Sequence, residues 1–288
     1  MRTRIKKALV AAVAVASTST AALVGLAGGS ANAAGSNLLA YGISGNGTRI
    51  LQFWTNTPDR NDWVRRITGL SGDTAVIGID FRVQDGQLYA VGNKGGIYTI
   101  GIPSAVVNKV SQLTVALYGT NFDVDFNPAA DRLRVISDNG QNLRHNLNDH
   151  TTVEDATLTT PPATGPARGV TAAAYTNNDL NGATGTTLFD INTTTDQVVI
   201  QSPANNGLLV TTGNLGFDAE PNAGIDIFSD LTGGKTTALV AFAALTPVVP
   251  ADQEKLQNFY GIDLLTGAPN LIGTFPLDVT DVAIALDK

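Results

Sequence analysis

Three aspartates stand at equivalent positions of a repeated phrase, and their type and spacing suit chemistry better than any other set. Asp80, Asp125 and Asp226 occupy the fourth position of IGIDF, FDVDF and AGIDI. If these phrases are strands around one axis, their carboxylates converge. Two carboxylates flanking a sugar ring can act as acid and base in glycoside hydrolysis. Carboxylate oxygens are also the ligands that calcium prefers.

A structural role is the competing interpretation of the same aspartates, and we favour it. Each carboxylate can accept hydrogen bonds from backbone N–H groups or a turn within its own repeat, which explains the repetition without any substrate. Asp123 lies two residues before Asp125 and therefore on the same side of the strand. We predict no catalytic residue. Asp80, Asp123, Asp125 and Asp226, with Asp281 nearby, are the candidates for an axial ligand or calcium site.

The repeated phrase has two weaker copies, Ala172 to Tyr175 and Val282 to Leu286. Measured at the aspartate position, the copies are 45, 49, 52 and 59 residues apart. Periods of this length indicate propellers, solenoids or arrays. Between the copies, short apolar runs alternate with Gly, Asn, Asp and Pro turns, and no segment has the periodicity of an amphipathic helix. The sequence therefore predicts an all-β fold.

The repeats predict a β-propeller of five four-stranded blades. The clearest unit has strands at 77–81, 88–91, 97–100 and 110–115. The first blade has only three N-terminal strands, and the last copy, Val282 to Leu286, supplies its missing innermost strand. Five blades lie within the usual range of about four to eight. The alternative of six blades requires dividing the long last unit at 247–255, which we interpret as a loop.

Small residues stand two positions before most of the reference positions, at Gly78, Ala172, Gly224 and Ala283. We expect them to be needed where inner strands crowd around a narrow axis. The intervening residues, among them Ile79, Val124 and Phe126, should be buried between blades.

The first 33 residues have the features of a secretory signal peptide. A basic start is followed by an apolar stretch from Ala8 to Leu26 and a cleavage signal that ends at Ala33. Residues 34–288 then form a single propeller domain. Polar residues interrupt the apolar stretch and no second long one follows it, so we expect no membrane span in the mature chain. We predict a secreted or cell-envelope protein.

Charge and cysteine content exclude several partners. The signal holds four of the 18 Lys and Arg and none of the 25 Asp and Glu, which leaves 14 against 25 and a net charge of −11. Nucleic acid binding needs clustered basic residues, and none are present. Without cysteine, disulfides and thiolate sites are unavailable to the fold.

The histidines and tryptophans offer weaker candidates. A hydrolase triad needs a histidine held by a carboxylate. His145 lies in a predicted outer strand and His150 in a polar turn, so we expect surface roles for both. Trp54 and Trp63 flank a loop where indoles can stack on sugars. We favour the simpler interpretation that they cover the edge of the closing blade.

The arginines of 131–134 offer a further weak candidate. Arg132 and Arg134 alternate with apolar residues, and Arg144 follows in the next strand. We interpret them as surface ion pairs with Asp131 or Asp138, with an anion-binding patch as the alternative.

Several segments together resemble a known family. They are VDFNPAADRLRV at 124–135, SDNGQNLR at 137–144, AAYTN at 173–177, TTLFD at 186–190, and NNGLL at 205–209 leading to GNLG at 213–216. The chain resembles the exported bacterial family of domain of unknown function 4394 over nearly the whole mature length. The resemblance implies export and a repeated β architecture, and it brings no reaction, ligand or catalytic residue.

The function expected from sequence is non-enzymatic binding of an extracellular or envelope ligand by a monomeric propeller without a cofactor. The alternatives are an extracellular glycoside hydrolase that uses the axial carboxylates and a scaffold stabilised by calcium at the same residues.

Overall fold

The computed structural model describes residues 37–287, which form a five-bladed β-propeller. Twenty strands make five four-stranded antiparallel sheets, and the described residues include one short 3-10 helix, Ala204–Asn206. The strands are β1 (Leu39–Ser44), β2 (Arg49–Trp54), β3 (Asn61–Arg66), β4 (Val76–Arg82), β5 (Gln87–Gly92), β6 (Gly96–Gly101), β7 (Val106–Gln112), β8 (Phe122–Asn127), β9 (Arg132–Ser137), β10 (Asn142–Asn146), β11 (Thr151–Glu154), β12 (Val170–Tyr175), β13 (Leu188–Asn192), β14 (Gln197–Gln201), β15 (Leu209–Asn214), β16 (Gly224–Thr232), β17 (Lys235–Leu245), β18 (Asn258–Ile262), β19 (Pro269–Thr274) and β20 (Asp281–Ile284).

Blade 1 is closed by both ends of the chain, as the sequence predicts. Its strand order is β20-β1-β2-β3, and blades 2 to 5 are β4 to β7, β8 to β11, β12 to β15 and β16 to β19. In blade 1, β20 pairs with β1 antiparallel, with Ala40 opposite Ile284 and Ile43 opposite Asp281. The inner strands of the blades are therefore β20, β4, β8, β12 and β16.

Tight turns join the strands of each blade. The β4–β5 hairpin turns at Asp85-Gly86, where Gly86 has a φ of +67° and its N–H donates to the Arg82 carbonyl at 2.8 Å. Glycine adopts this left-handed backbone without steric cost, which is why Asp-Gly pairs mark hairpins. These connections keep each blade a local meander.

The hydrophobic core lies between the blades. Ile79 and Phe81 of blade 2 are buried against Tyr41 and Ile43 of blade 1, and Phe126 of blade 3 packs on Tyr89 of blade 2 with ring centroids 5.1 Å apart. The face predicted to be buried between blades is therefore confirmed. The close packing of blades 2 and 3 also requires glycine at position 78, because an added Cβ would lie 2.8 Å from the Val124 side chain.

Several strand boundaries differ from the expectation. The outer strand of blade 2 is Val106–Gln112 rather than 110–115, because a turn closed by the Ala105 N–H on the Gly101 carbonyl shortens the preceding loop. β16 and β17 extend to 9 and 11 residues. No strand lies between Leu245 and Asn258 in the described chain, so the long last unit is one blade.

The predicted signal peptide, residues 1–33, lies outside the described residues. Within residues 37–287, no helix is long and apolar enough to cross a membrane.

Candidate functional site

The inner strands leave a row of backbone N–H groups facing the axis, because each is the edge strand of its sheet. Unpaired N–H groups in a buried position cost free energy unless they find an acceptor. Five aspartates supply the acceptors, and together they bind nine axial N–H groups. The aspartates are Asp80, Asp123, Asp125, Asp226 and Asp281.

Asp80 shows the pattern that most of these aspartates follow. Its Oδ1 accepts the N–H of the next residue, Phe81, at 2.6 Å, and its Oδ2 accepts the N–H of Phe126 in the following blade at 2.7 Å. Asp226 does the same with Ile227 and with Ile284 of blade 1, both at 2.5 Å. One carboxylate thus joins the inner strands of two neighbouring blades.

The remaining aspartates extend this bridging around the axis. Asp281 accepts from Val282 of its own blade and from Ile79 of blade 2, at 2.7 Å each. Asp123 accepts from Val124 and from Ala173 of blade 4, at 2.8 Å each. Asp125 accepts only the Tyr175 N–H of blade 4, at 3.1 Å. Hydrogen bonds within one repeat, as expected from the sequence, account for four of the nine, and the other five join neighbouring blades.

One junction lacks an axial carboxylate bridge within the described chain, and it is the one with the degenerate repeat. Blade 4 carries Ala174 at the aspartate position, so β12 offers no carboxylate to β16. Instead the Asn178 N–H donates to Ser229 Oγ at 2.8 Å, and Ala172 and Ala174 pack against the apolar core shared with blade 5. This junction is held by apolar packing and by hydrogen bonds away from the axis, since Asp179 of blade 4 also accepts the Thr236 N–H of blade 5 at 2.9 Å.

The structure brings Asp80, Asp125 and Asp226 together. Each offers an oxygen within 4.8 Å of the others, and all three are at most 5% exposed. Asp123 lies instead near Asp281, whose charge is, after desolvation by burial, the main influence on the pKa of Asp123. Within residues 37–287, no basic side chain forms an ion pair with any of the five.

Burial raises the pKa of all five axial carboxyl groups. For Asp80 and Asp125 the pKa is raised well above the usual value by desolvation and then by neighbouring aspartates, against the opposing effect of the N–H donors. The pKa of Asp123 is raised in the same way, with Asp281 as its main charged neighbour. Desolvation raises the pKa of Asp226 and of Asp281 to about 7. Like charges this close cannot all ionise without compensation, so the cluster retains protons or takes a cation.

This geometry favours a structural role over hydrolysis. A glycosidase acid and base must reach opposite faces of a substrate sugar, whereas these carboxyl groups are buried and hydrogen-bonded to the backbone of two blades. The oxygens of Asp80, Asp125 and Asp226 are close enough together to bind one calcium ion. Two ligands on opposite sides of calcium lie about 4.6–5.2 Å apart at its usual ligand distances, and these oxygens lie within 4.8 Å of one another.

The histidine and arginine expectations need correction. His145 is fully buried between blades 2 and 3, because β10 is the third rather than the outermost strand, while His150 is exposed in the following turn. Arg134 is also buried, 2.8 Å from Asp155, and Asp131 pairs instead with Arg82 of blade 2 at 2.6 Å. Arg134 joins blade 3 to blade 4 through the Tyr175 hydroxyl and the Asn205 side chain. Arg132 donates to the backbone of its own turn, and Arg144 pairs with Asp155 of its own blade.

The tryptophans lie on the closing blade, as expected. Trp63 packs on Tyr41 with ring centroids 6.1 Å apart and donates its indole N–H to Gln52, whereas Trp54 is 38% exposed.

Two polar groups were missed from the sequence. Asp190 in β13 is fully buried near Arg134, and neither of its carboxyl oxygens has a hydrogen-bond donor among the described residues. Burial raises its pKa well above the usual value, although Arg134 opposes this. Ser111 in β7 binds both histidines. Neither belongs to the repeated phrase, so no spacing distinguished them.

The family to which the chain belongs follows from its match to a known family model. The family model of the domain of unknown function (DUF4394) matches residues 49–285. The chain belongs to this family. A search of curated proteins found no match.

Solved structures similar to this DUF4394 protein share little sequence with it. A nidogen/laminin complex chain has a TM-score of 0.47 at 10% identity, covering 87% of this chain and 99% of that one. The glutaminyl cyclase of Myxococcus xanthus has a TM-score of 0.45 at 12% identity, covering 79% and 97%. A Bacteroides thetaiotaomicron protein of unknown function has a TM-score of 0.44 at 12% identity, covering 87% and 67%.

Proposed function

We propose that this DUF4394 protein is an exported, non-enzymatic propeller that binds a ligand of the extracellular space or cell envelope. The observation that supports this is the use of the axial aspartates. Nine hydrogen bonds to backbone N–H groups employ the carboxyl groups that would otherwise be the best candidates for catalysis. The ligand would then bind on the outer surface of the blades.

The test compares binding and hydrolysis on a panel of extracellular polysaccharides with wild type and Asp125→Asn. Asp125 is the suitable position, because it accepts a single backbone N–H that an asparagine oxygen can also accept. We expect no release of reducing ends by either protein, and equal affinity of both for any polysaccharide that binds. Release of reducing ends by wild type that is lost in Asp125→Asn would establish the hydrolase instead.

Calcium at Asp80, Asp125 and Asp226 is a second candidate, favoured by their oxygens lying within 4.8 Å. A cation there would offset the repulsion between buried carboxylates and stabilise the folded state by mass action. This candidate predicts a melting temperature that falls when a chelator is added at pH 7 and recovers with excess calcium. In Asp125→Asn the chelator should have less effect. If the wild-type melting temperature is unchanged by the chelator, calcium is not bound, and bound protons reduce the repulsion between the carboxyl groups instead.

A further inference from the structure

Ser111 stands between two histidines where blade 2 meets blade 3. Its Oγ lies 2.8 Å from Nε2 of His145 and 2.9 Å from Nδ1 of His150. His145 is fully buried, whereas His150 is exposed in the turn between β10 and β11. A hydroxyl with two imidazole partners can donate its proton to one and accept a hydrogen bond from the other.

One assignment of the hydrogens gives every donor in this hydrogen-bond chain an acceptor. The Thr114 N–H donates to Thr152 Oγ1 at 2.9 Å, and the same oxygen lies 2.9 Å from Nδ1 of His145. If the Thr152 hydroxyl donates to Nδ1, neutral His145 carries its hydrogen on Nε2 and donates it to Ser111 Oγ. The Ser111 hydrogen is then directed at Nδ1 of His150, and every donor in the chain has an acceptor.

The two histidines therefore differ in what they can do for the serine. Burial, and then the neighbouring His150, lower the pKa of His145 to about 4, against a small opposing effect of Asp149. His145 stays neutral at pH 7 and serves as a fixed donor to Ser111 Oγ. His150 presents an unprotonated nitrogen to the serine hydrogen and can pass a proton to solvent, which is the role of a general base.

Ser111 borders a surface depression on the His150 side. The serine is 8% exposed, and its contact with His150 is only partly buried, unlike its contact with His145. The depression is lined by Lys109, Val110, Ser111, Gln112, Thr114 and His150. An ester that reacts with the hydroxyl would have to approach from this depression.

We propose that Ser111 is a nucleophile that reacts with activated acyl esters, with His150 as its base. Ser111 Oγ forms a bond to the acyl carbon while its proton passes to Nδ1 of His150. The bond between the acyl carbon and the leaving oxygen breaks, and the electron pair departs with that oxygen as alkoxide or phenolate. The product is one acyl-serine per chain. This reaction is separate from the ligand binding proposed above and does not involve the axial aspartates.

The experiment treats the full chain with p-nitrophenyl acetate and follows phenolate release, intact mass and peptide mapping. We expect one acetyl group at Ser111 and none in Ser111→Ala. Loss of a general base costs about 10²–10⁴-fold, so His150→Asn should slow acetylation at least about tenfold. Asparagine suits this variant because residue 150 has a φ of +59° and asparagine accepts left-handed backbone.

Ser104 provides the matched control. Its Oγ bonds the Gly101 carbonyl at 3.1 Å, and the described chain places no imidazole on it. Ser104→Ala should acetylate at the wild-type rate. The proposal is overturned if folded wild type is not acetylated at Ser111, or if His150→Asn, with its fold confirmed by circular dichroism, reacts as fast as wild type.

Discussion

The axial aspartates are deeply buried, although aspartate side chains are usually exposed to solvent. Asp226 is 3% exposed, yet both its oxygens accept backbone N–H groups at 2.5 Å. The N–H donors favour the ionised form, whereas desolvation and neighbouring carboxylates disfavour it, and the second effect dominates in every axial aspartate. The N–H groups gain acceptors, and the carboxyl groups in exchange ionise less readily than exposed aspartates.

The free energy of unfolding should therefore depend on Asp226 between about pH 4 and pH 7. Its folded pKa of about 7 lies above the usual 3.8, so the folded state binds more protons in this range and stability falls as the pH rises. We expect urea unfolding in a chelator to show a shallower fall for Asp226→Asn than for wild type. Asp230→Asn, at an exposed position of the same strand, is the control and should follow wild type. Parallel curves for wild type and Asp226→Asn would mean that the carboxyl group titrates normally.

The sequence predicted the position of a residue where that residue recurs in the repeats. The equivalent positions of Asp80, Asp125 and Asp226 predicted that they share an axis, and the structure brings them together. The partners of each carboxylate were not predictable, because five of the nine N–H donors belong to the next blade, 46 to 202 residues away along the chain. The burial of His145 was not predictable, because the Ser111 side chain that contacts it belongs to the neighbouring blade.

At the scale of elements, the inner strand of each blade performs two tasks at once. Its edge N–H groups bind the axial carboxylates, while alternate side chains fill the spaces between blades. In β8 the side chains of Val124 and Phe126 belong to the core shared with blade 2, and the N–H groups of the same residues bind Asp123 and Asp80. The strand alternation of side chains was readable from sequence, whereas the outer strands, which are less buried, were misplaced by several residues.

Phe126→Ala should destabilise the protein by about 3–5 kcal/mol, because it leaves a cavity between two blades. Phe126 is 1% exposed and packs against Tyr89. Chemical unfolding measures the loss, and Val153→Ala, at a 44% exposed position of the outer strand of the same blade, should lie within about 0.5 kcal/mol of wild type. Equal stability of the two variants would show that Phe126 does not contribute to the core.

At the scale of the whole molecule, the five blades form a ring that both chain ends close, and within the described chain axial carboxylates bridge four of the five junctions. The repeat period predicted five blades, and the degenerate copy at Ala174 coincides with the junction that has no axial carboxylate bridge in the described chain. Ring closure was predictable because the first blade had one strand too few and the C-terminus one too many.

The axial aspartates hold neighbouring blades together, and Asp226 joins blade 5 to blade 1. The most direct measurement is the free energy of unfolding of Asp226→Ala at pH 4, where removal of a buried charge brings little relief. Two buried N–H groups, those of Ile227 and Ile284, would lose their acceptor. Each such loss costs about 1–3 kcal/mol, so we predict destabilisation of about 2 kcal/mol or more, against about 0.5 kcal/mol or less for the exposed control Asp230→Ala. Equal stability of Asp226→Ala and Asp230→Ala would contradict the claim.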